Sequence, residues 1–473
     1  MRSAIVRATP AHPEAWLVTA LLACLTFALL GAPGDARGTS TPPTLYVDRN
    51  DPSCSDSGSG MAGQPFCSIG AAARQLVAGQ RVQVAAGEYP EAVTVSTSGT
   101  SSAPITFAAA RGAAVTVSGQ TNGFVISGKR WITITGFTIR STISHGISVV
   151  NSSHITISNC HVSYAGKPSS GETKSGIRFS NVSDSVVSGN VVDHNSAYGM
   201  NFVGGSTRNL IKRNTSFSNA MRYQRAASGI RFYGSPGNRV SSNVCHDNED
   251  SGIEFFSGSS NNLVTNNVTY NNGDHGIDNY RSTGQRVIAN SVYHNVTAGI
   301  NVEEGSTGAM VANNISVDNG VSSPRTTSNI RVDSDSTAGT RLDYDVVFLG
   351  RGSGTLLTWN SVGYGSLASF QGASKQELHG IQASPNWMSP DLGDFHLLAG
   401  SPAVDSANSG VRGQPAADAD GSRRIDASGT ANTGVGSRTY DDRGAYEFHR
   451  LPRVKRQRSH RPRLRLPPPS LRR

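Results

Sequence analysis

Short apolar runs of alternating pattern, such as Ile177-Arg178-Phe179 and Leu263-Val264, recur through the middle of the chain, broken each time by Gly, Asn, Ser or Asp. A glycine followed by an apolar residue opens each unit: Gly123-Phe124, Gly146-Ile147, Gly176-Ile177, Gly199-Met200, Gly229-Ile230, Gly252-Ile253, Gly276-Ile277 and Gly299-Ile300. The steps are 23, 30, 23, 30, 23, 24 and 23 residues. An asparagine pair five residues apart follows, from Asn190/Asn195 to Asn314/Asn319. Alternation with period two predicts strands, because successive strand side chains point to opposite faces. Units this short cannot bury an apolar face alone, so they must stack. The pattern predicts an all-β fold, a parallel β-helix (solenoid) whose regular coils span residues 120–320.

Alternation also assigns faces. The first residue after each glycine should point inward, the second outward and the third inward. The third position reads Val149, Phe179, Phe202, Phe232, Phe255, Asn279, Val302, an internal stack with one polar interruption. The asparagines fit ladders at a turn, where Asn tolerates left-handed backbone and its side chain bonds to neighbouring rungs. Equivalent positions on successive rungs should lie ~4.8 Å apart, so a sequence column becomes a line on the surface.

The ends read differently. Arg2 and Arg7 precede an apolar run from about Ala15 to Leu30, which predicts a signal peptide over residues 1–37, bacterial-type export and no membrane-spanning segment in the mature chain. Residues 45–119 hold a helix capped by Ser68 and strands at 82–85, 92–95 and 105–108, suited to covering the open end of the solenoid. Residues 321–449 are irregular coils and a closing cap module; Asp418-x-Asp420-Gly421 within it reads as a polar turn. Cys54 and Cys67 can pair locally, while Cys160, facing inward, and Cys245, facing outward three rungs away, should stay free thiols. The formal net charge of +9 is concentrated in residues 450–473, which carry ten Lys/Arg and no acid. That tail predicts disorder and a possible hold on anionic cell envelope. No aromatic residue interleaves its charges, so no nucleic-acid partner is expected. A monomer is expected.

Candidate chemistry sits on the outward columns. Asp250, Glu254, Asp274 and Asp278 fall on two adjacent rungs, with Arg231 one rung before and His275 and Arg281 in the same patch. Tyr233, Phe256 and Tyr280 form an aromatic strip beside them. The 30-residue units insert about seven residues at one corner, at 164–175 (Lys167, Lys174) and 218–228 (Arg222, Tyr223, Arg225). With Arg178, these basic loops would wall a groove for a sugar polymer, whose apolar ring faces need aromatic side chains and whose acid groups need cations.

The repeat resembles the right-handed parallel β-helices of the pectin-lyase-like superfamily. The segment Tyr46-Val47-Asp48, Pro65-Phe66, Gly87-Glu88-Tyr89 is similar to the cap of family 9 polysaccharide lyases. In that family an acidic run of the form Asp-Asp-Gly-x-Asp binds calcium and a lysine on a nearby rung takes the proton. Asp250-Ser251-Gly252-Ile253-Glu254 and Asp274-His275-Gly276-Ile277-Asp278 resemble the run, but Asn301 stands where the resemblance puts the lysine. The resemblance thus implies a calcium ion (Ca2+) on Asp250, Glu254, Asp274 and Asp278, with His275 or Arg231 as the base in place. Lys174, Arg178, Arg225, Tyr233, Phe256, Tyr280 and Arg281 are the expected substrate contacts. Solvated rungs joined by charge pairs such as Arg231 with Glu254 are the plain alternative. The function expected is a secreted, calcium-dependent lyase cleaving an acidic polysaccharide by β-elimination. A glycoside hydrolase with paired carboxylates (Asp250 with Asp274, or Glu254 with Asp278) and a non-catalytic carbohydrate-binding solenoid are the alternatives.

Overall fold

The computed structural model describes residues 42–166, 174–220 and 227–449. The signal-like run, the basic tail, and Lys167, Arg222, Tyr223 and Arg225 lie outside the described residues. Among the described residues, twenty-three strands form one sheet and twelve form a second. Pairing is parallel from coil to coil, with Ile147 opposite Ile177, Ile177 opposite Met200, and so on to Ile277 opposite Ile300. The repeat and the register therefore coincide: each glycine-led unit is one coil.

The inward positions behave as alternation requires. Ile147, Ile177, Met200, Ile230, Ile253, Ile277 and Ile300 are buried, as is the whole third column. Phe202, Phe232 and Phe255 stack face to face at 4.8 and 5.0 Å. Asn279 interrupts them, and its amide donates to the Asn301 carbonyl at 2.8 Å. The column glycines answer a packing need. A Cβ on Gly252 would lie 2.8 Å from both Asn272 Nδ2 and the Gly276 carbonyl oxygen, so the coils close to this spacing only without one.

Two asparagine ladders run the length of the regular coils. Asn190 Nδ2 donates to Asn214 Oδ1, Asn214 to Asn243, Asn243 to Asn267, Asn267 to Asn290 and Asn290 to Asn314, at 2.9–3.0 Å. The second ladder joins Asn195, Asn219, Asn248, Asn272, Asn295 and Asn319 in the same way. One detail differs from the sequence expectation: the left-handed residue is the one preceding each ladder asparagine. Gly189, Arg213, Ser242, Asn266, Ala289 and Asn313 take positive φ, and the asparagine itself is held by its hydrogen bonds. A third ladder, Asn209, Asn238, Asn262 and Gln285, lines another corner.

The helix α1 (Ile69–Gln75) is capped by Ser68, whose Oγ accepts from the Ala71 N–H. It buries Ile69 and three alanines in the main core at the first coils. The Cys54–Cys67 disulfide closes the loop before it. Cys160 and Cys245 are free and buried; Cys245 faces inward rather than outward, and burial pushes both thiols upward. At the other end α2 (Leu367–Ser374) places Leu367 and Phe370 on the same core. The segment after it turns back along the flank, where Trp387, Phe395, Leu397 and Val404 pack on Val268, Ile315, Val317 and Val346 of the twelve-stranded sheet. No helix among the described residues is long and apolar enough to cross a membrane.

The first ladder ends on an acid. Asp345 takes the next asparagine place, its Oδ1 accepting from Asn314 N–H and Nδ2 at 2.6 and 2.9 Å. Asp345 and Glu377 are both buried, and one oxygen of each has no donor. Burial pushes Asp345 up to about 6 and Glu377 well above the usual carboxylate range, the second acid adding to the rise in Glu377. A folded-state pKa above the unfolded value stabilises the protein below the unfolded pKa and is lost as pH rises through the folded one. The melting temperature should therefore fall as pH rises from about 4 through about 6 and beyond. Asp345→Asn, whose amide supplies the missing donor, should flatten that slope and raise the melting temperature at pH 8 more than at pH 5. Parallel pH dependence of the two proteins in thermal melts would refute Asp345 as the source of the slope.

Candidate active site

The second position after each glycine forms one continuous line: Arg178, Asn201, Arg231, Glu254, Asp278, Asn301, then Arg331. These side chains leave the coil as alternation requires, yet they are not the solvated rungs that an outward position suggests. Glu254, Asp274, His275, Asp278 and Asn301 are all buried. Chain beyond Gly320 contributes to the cover, since Arg325 reaches back to Asp274 with Nη2 donating to Oδ1 at 2.6 Å.

The carboxylates that the sequence brings together are individually engaged. Asp274 Oδ1 also accepts from Thr297 Oγ1. Burial opposes its ionisation, but His275, Arg325 and Thr297 outweigh that and hold it below the usual range. Glu254 Oε2 accepts from Ser228 Oγ at 2.8 Å and lies 3.3 Å from Arg231 Nε. Asp250 is likewise engaged. Asp278 Oδ1 accepts from Asn301 Nδ2 at 2.9 Å, and burial, with Glu303 and Glu254 nearby, pushes Asp278 well above the usual carboxylate range.

The His275 tautomer follows from its partners. Nδ1 lies 3.1 Å from the Ala298 carbonyl, which can only accept, so Nδ1 carries the proton. Asn301 Oδ1 accepts from Arg331 Nη1 at 2.9 Å, which turns the Asn301 amide nitrogen towards His275 Nε2 at 3.2 Å. Burial pushes His275 downward, towards neutral imidazole, against the pull of Asp274. Its one lone pair is thus already met by an amide. Arg231 is a poorer base still: a guanidinium paired with Glu254, its carbon 4.8, 5.2 and 4.8 Å from the rings of Tyr198, Tyr233 and Phe256.

Three residues join the site without having been singled out as candidates. Glu303, on the rung after Asp278, is ion-paired with Arg331 at 2.8 Å. One His275 nitrogen and one carboxylate oxygen from each of Asp278 and Glu303 lie within 4.8 Å of one another. Glu303 was readable as the fourth residue of its rung. Arg331 was hidden because Asn329 replaces the glycine of its unit, and Arg325 lies in a connection with no column.

A calcium ion does not fit the expected set. Calcium takes six to eight oxygens, and here guanidinium groups already stand against Asp274 and Glu254 where the cation would be. The tighter group, His275 with Asp278 and Glu303, mixes one nitrogen with two carboxylates, a donor set for transition metals more than for calcium.

The aromatic strip also differs from expectation. Tyr233 is exposed, and Phe256 and Tyr280 stack on each other at 4.7 Å. Arg231 covers the Phe256 ring and Arg281 the Tyr280 ring. The rings use their faces on their neighbours, leaving mainly edges for a ligand. Arg281 is ion-paired with Glu304 at 3.0 Å. Lys174 and Arg178 sit at the other end of the line, half-buried.

The family model for a right-handed β-helix region matches residues 122–285 and 202–319. The protein is a right-handed parallel β-helix with the pectin-lyase-like fold. Among solved structures it is similar to pectate lyase Pel9A, at 17% identity over 87% of this chain and 98% of that one, with a TM-score of 0.53. Similarity extends to a GH136 lacto-N-biosidase from Eubacterium ramulus, at 13% identity over 68% and 66% of the two chains and a TM-score of 0.49. The mannuronan C-5 epimerase AlgE4 A-module of Azotobacter vinelandii follows at 14% identity over 65% and 89%, with a TM-score of 0.38. At these identities the likeness is one of fold. No curated protein matches the sequence.

Proposed function

We propose that this β-helix is an exported enzyme that cleaves an acidic polysaccharide, and that it does so by hydrolysis with Asp278 as proton donor and Glu303 as the opposing carboxylate. The observation that carries the reading is the pairing itself: the Asp278 carboxyl, pushed by burial well above the usual carboxylate range, has an oxygen within 4.8 Å of one on Glu303, which Arg331 holds. Carboxyl groups in unlike environments divide into acid and base, which is the requirement for glycosidic cleavage. Their closeness leaves no space for the water that inversion seats between groups roughly 6.5–9.5 Å apart, so retention of anomeric configuration is expected. Asn301 orients the donor by hydrogen-bonding the Asp278 Oδ1, and Arg331 holds both Asn301 and Glu303. The Cys54–Cys67 disulfide and the signal-like start support export.

Elimination is the second reading, favoured by the likeness to a pectate lyase along 98% of that chain. It would need the His275 Nε2 lone pair, which faces the Asn301 amide at 3.2 Å, to take a substrate proton instead. If calcium assisted, it would have to displace Arg325 and Arg231 from their carboxylates. One assay separates the two. Purified protein is incubated with pectate, alginate, glycosaminoglycans and acidic polysaccharides that also contain neutral sugars, with calcium or with chelator, while reducing ends and near-ultraviolet absorbance are followed together. Reducing ends without an unsaturated-uronate signal, indifferent to chelator, are expected. Calcium-dependent growth of the ultraviolet signal would replace hydrolysis by elimination.

A further inference from the structure

The arginines of the line fall into two kinds. Arg231, Arg325 and Arg331 each face a carboxylate. Arg178 and Lys174, on the first coil of the line, have no acidic partner among the described residues. His145 stands beside them, its Nδ1 accepting from the Ser175 N–H at 2.9 Å, which leaves the proton on Nε2. Burial and the nearby Arg178 and Lys174 push this imidazole down to about 4. Burial lowers Arg178 as well, with no anion to offset it. Two polar atoms around this spot are buried without a partner: Ser175 Oγ, which can donate to an oxyanion, and Oδ1 of Asn201, the register neighbour of Arg178, which can accept from a sugar hydroxyl. A half-buried guanidinium with no acidic partner among the described residues, flanked by unmet polar atoms, is an arrangement completed by a ligand.

The carboxyl pair lies at the opposite end. Arg178 is four rungs from Asp278, roughly 19 Å at the spacing of a parallel sheet. Near Asp278 every arginine named above is matched by a carboxylate, so none of these described cations is left to receive an acidic sugar. We infer that His145, Lys174 and Arg178 form an anion-binding subsite for a carboxylate or sulfate of the glycan, four rungs from the reacting bond, and that the sugar at Asp278 and Glu303 is uncharged. The inference rests on the reading of the carboxyl pair as the reactive centre. It makes the substrate a polymer of mixed sugars, read for charge at one end and cleaved at a neutral unit.

Titration calorimetry of the full protein tests the subsite without relying on turnover. The probes are tetragalacturonate for carboxylate, a sulfated glycosaminoglycan tetrasaccharide for sulfate, and cellotetraose as the neutral control. One anionic probe should bind more tightly than cellotetraose and weaken with salt; which one does so identifies the oxyanion. Lys174→Met with Arg178→Gln should lower that affinity at least tenfold. The single variant Arg178→Lys, which keeps the charge, should retain most of it, and Arg74→Gln, in the cap helix α1, should leave it unchanged. Equal affinity in the double variant, or no preference over cellotetraose, would overturn the subsite. Tight anion binding lost in the double variant, with no cleavage of any polymer, would refute the hydrolase reading and leave the subsite standing. Cleavage unaffected by the double variant would do the reverse.

Discussion

Asp278→Asn should lower turnover about 10²–10⁴-fold, the usual weight of a positioned proton donor, while leaving the protein folded and somewhat more stable at neutral pH. The two effects have one origin. Asp278 is buried beside Glu254 and Glu303, so its carboxyl holds a proton well above the usual range. A raised folded-state pKa costs stability as pH rises through it, and asparagine removes the titration. The amide keeps an oxygen to accept from Asn301 Nδ2 but has no proton to give. Thermal melts at pH 5 and 8 beside turnover on the cleaved polymer would check both halves. Glu303→Gln should inactivate similarly and also release Arg331. Full activity in Asp278→Asn would remove the carboxyl pair as the reactive centre. Loss of activity together with unfolding would point to a structural role instead. Such a gain of stability on loss of function is the pattern of a site kept in an unfavourable state for chemistry.

Much of the fold was legible because a solenoid repeats its instructions. Glycine steps, inward columns and asparagine pairs recur often enough that each coil corroborates the next, and the register found is the one the columns imply. The cap helix was readable from Ser68 and the alanine-rich run behind it. The site was legible only as a line of residues. Alternation says which side chains leave the coil, but not what then covers them. Arg325 and Arg331 come from chain beyond the regular coils, so Asp274, which reads as a calcium ligand, is instead met by a guanidinium, and Glu303 gains a partner that no column shows. Aromatic positions were likewise legible and their orientation was not. Stacking along the axis turns Phe256 and Tyr280 face to face, and a sequence column carries no information about ring planes.

Asn267→Ala should destabilise the protein by about 3–5 kcal/mol, a larger effect than most substitutions have. Asn267 is fully buried at the middle of its ladder. Its Oδ1 accepts from the backbone N–H and the Nδ2 of Asn243 at 3.0 and 2.9 Å. Its Nδ2 donates to the Val240 carbonyl and to Asn290 Oδ1. Alanine leaves two donors and a carbonyl of the preceding rung without partners, in a place too tight for water to replace an amide on every side. Each stranded group costs about 1–3 kcal/mol. The ladder's first member makes the control. Cys160 already occupies the asparagine place of its rung, its N–H donating to Asn190 Oδ1, so Asn190 has no amide side chain on its outer side. Asn190→Ala should therefore cost less than Asn267→Ala in the same denaturant titration. Because each coil contacts mainly its neighbours, the interior substitution should also broaden the transition by splitting the solenoid into two weakly coupled halves. Equal, small losses at the two positions would mean that packing of the apolar columns, rather than the amide ladder, holds the coils in register.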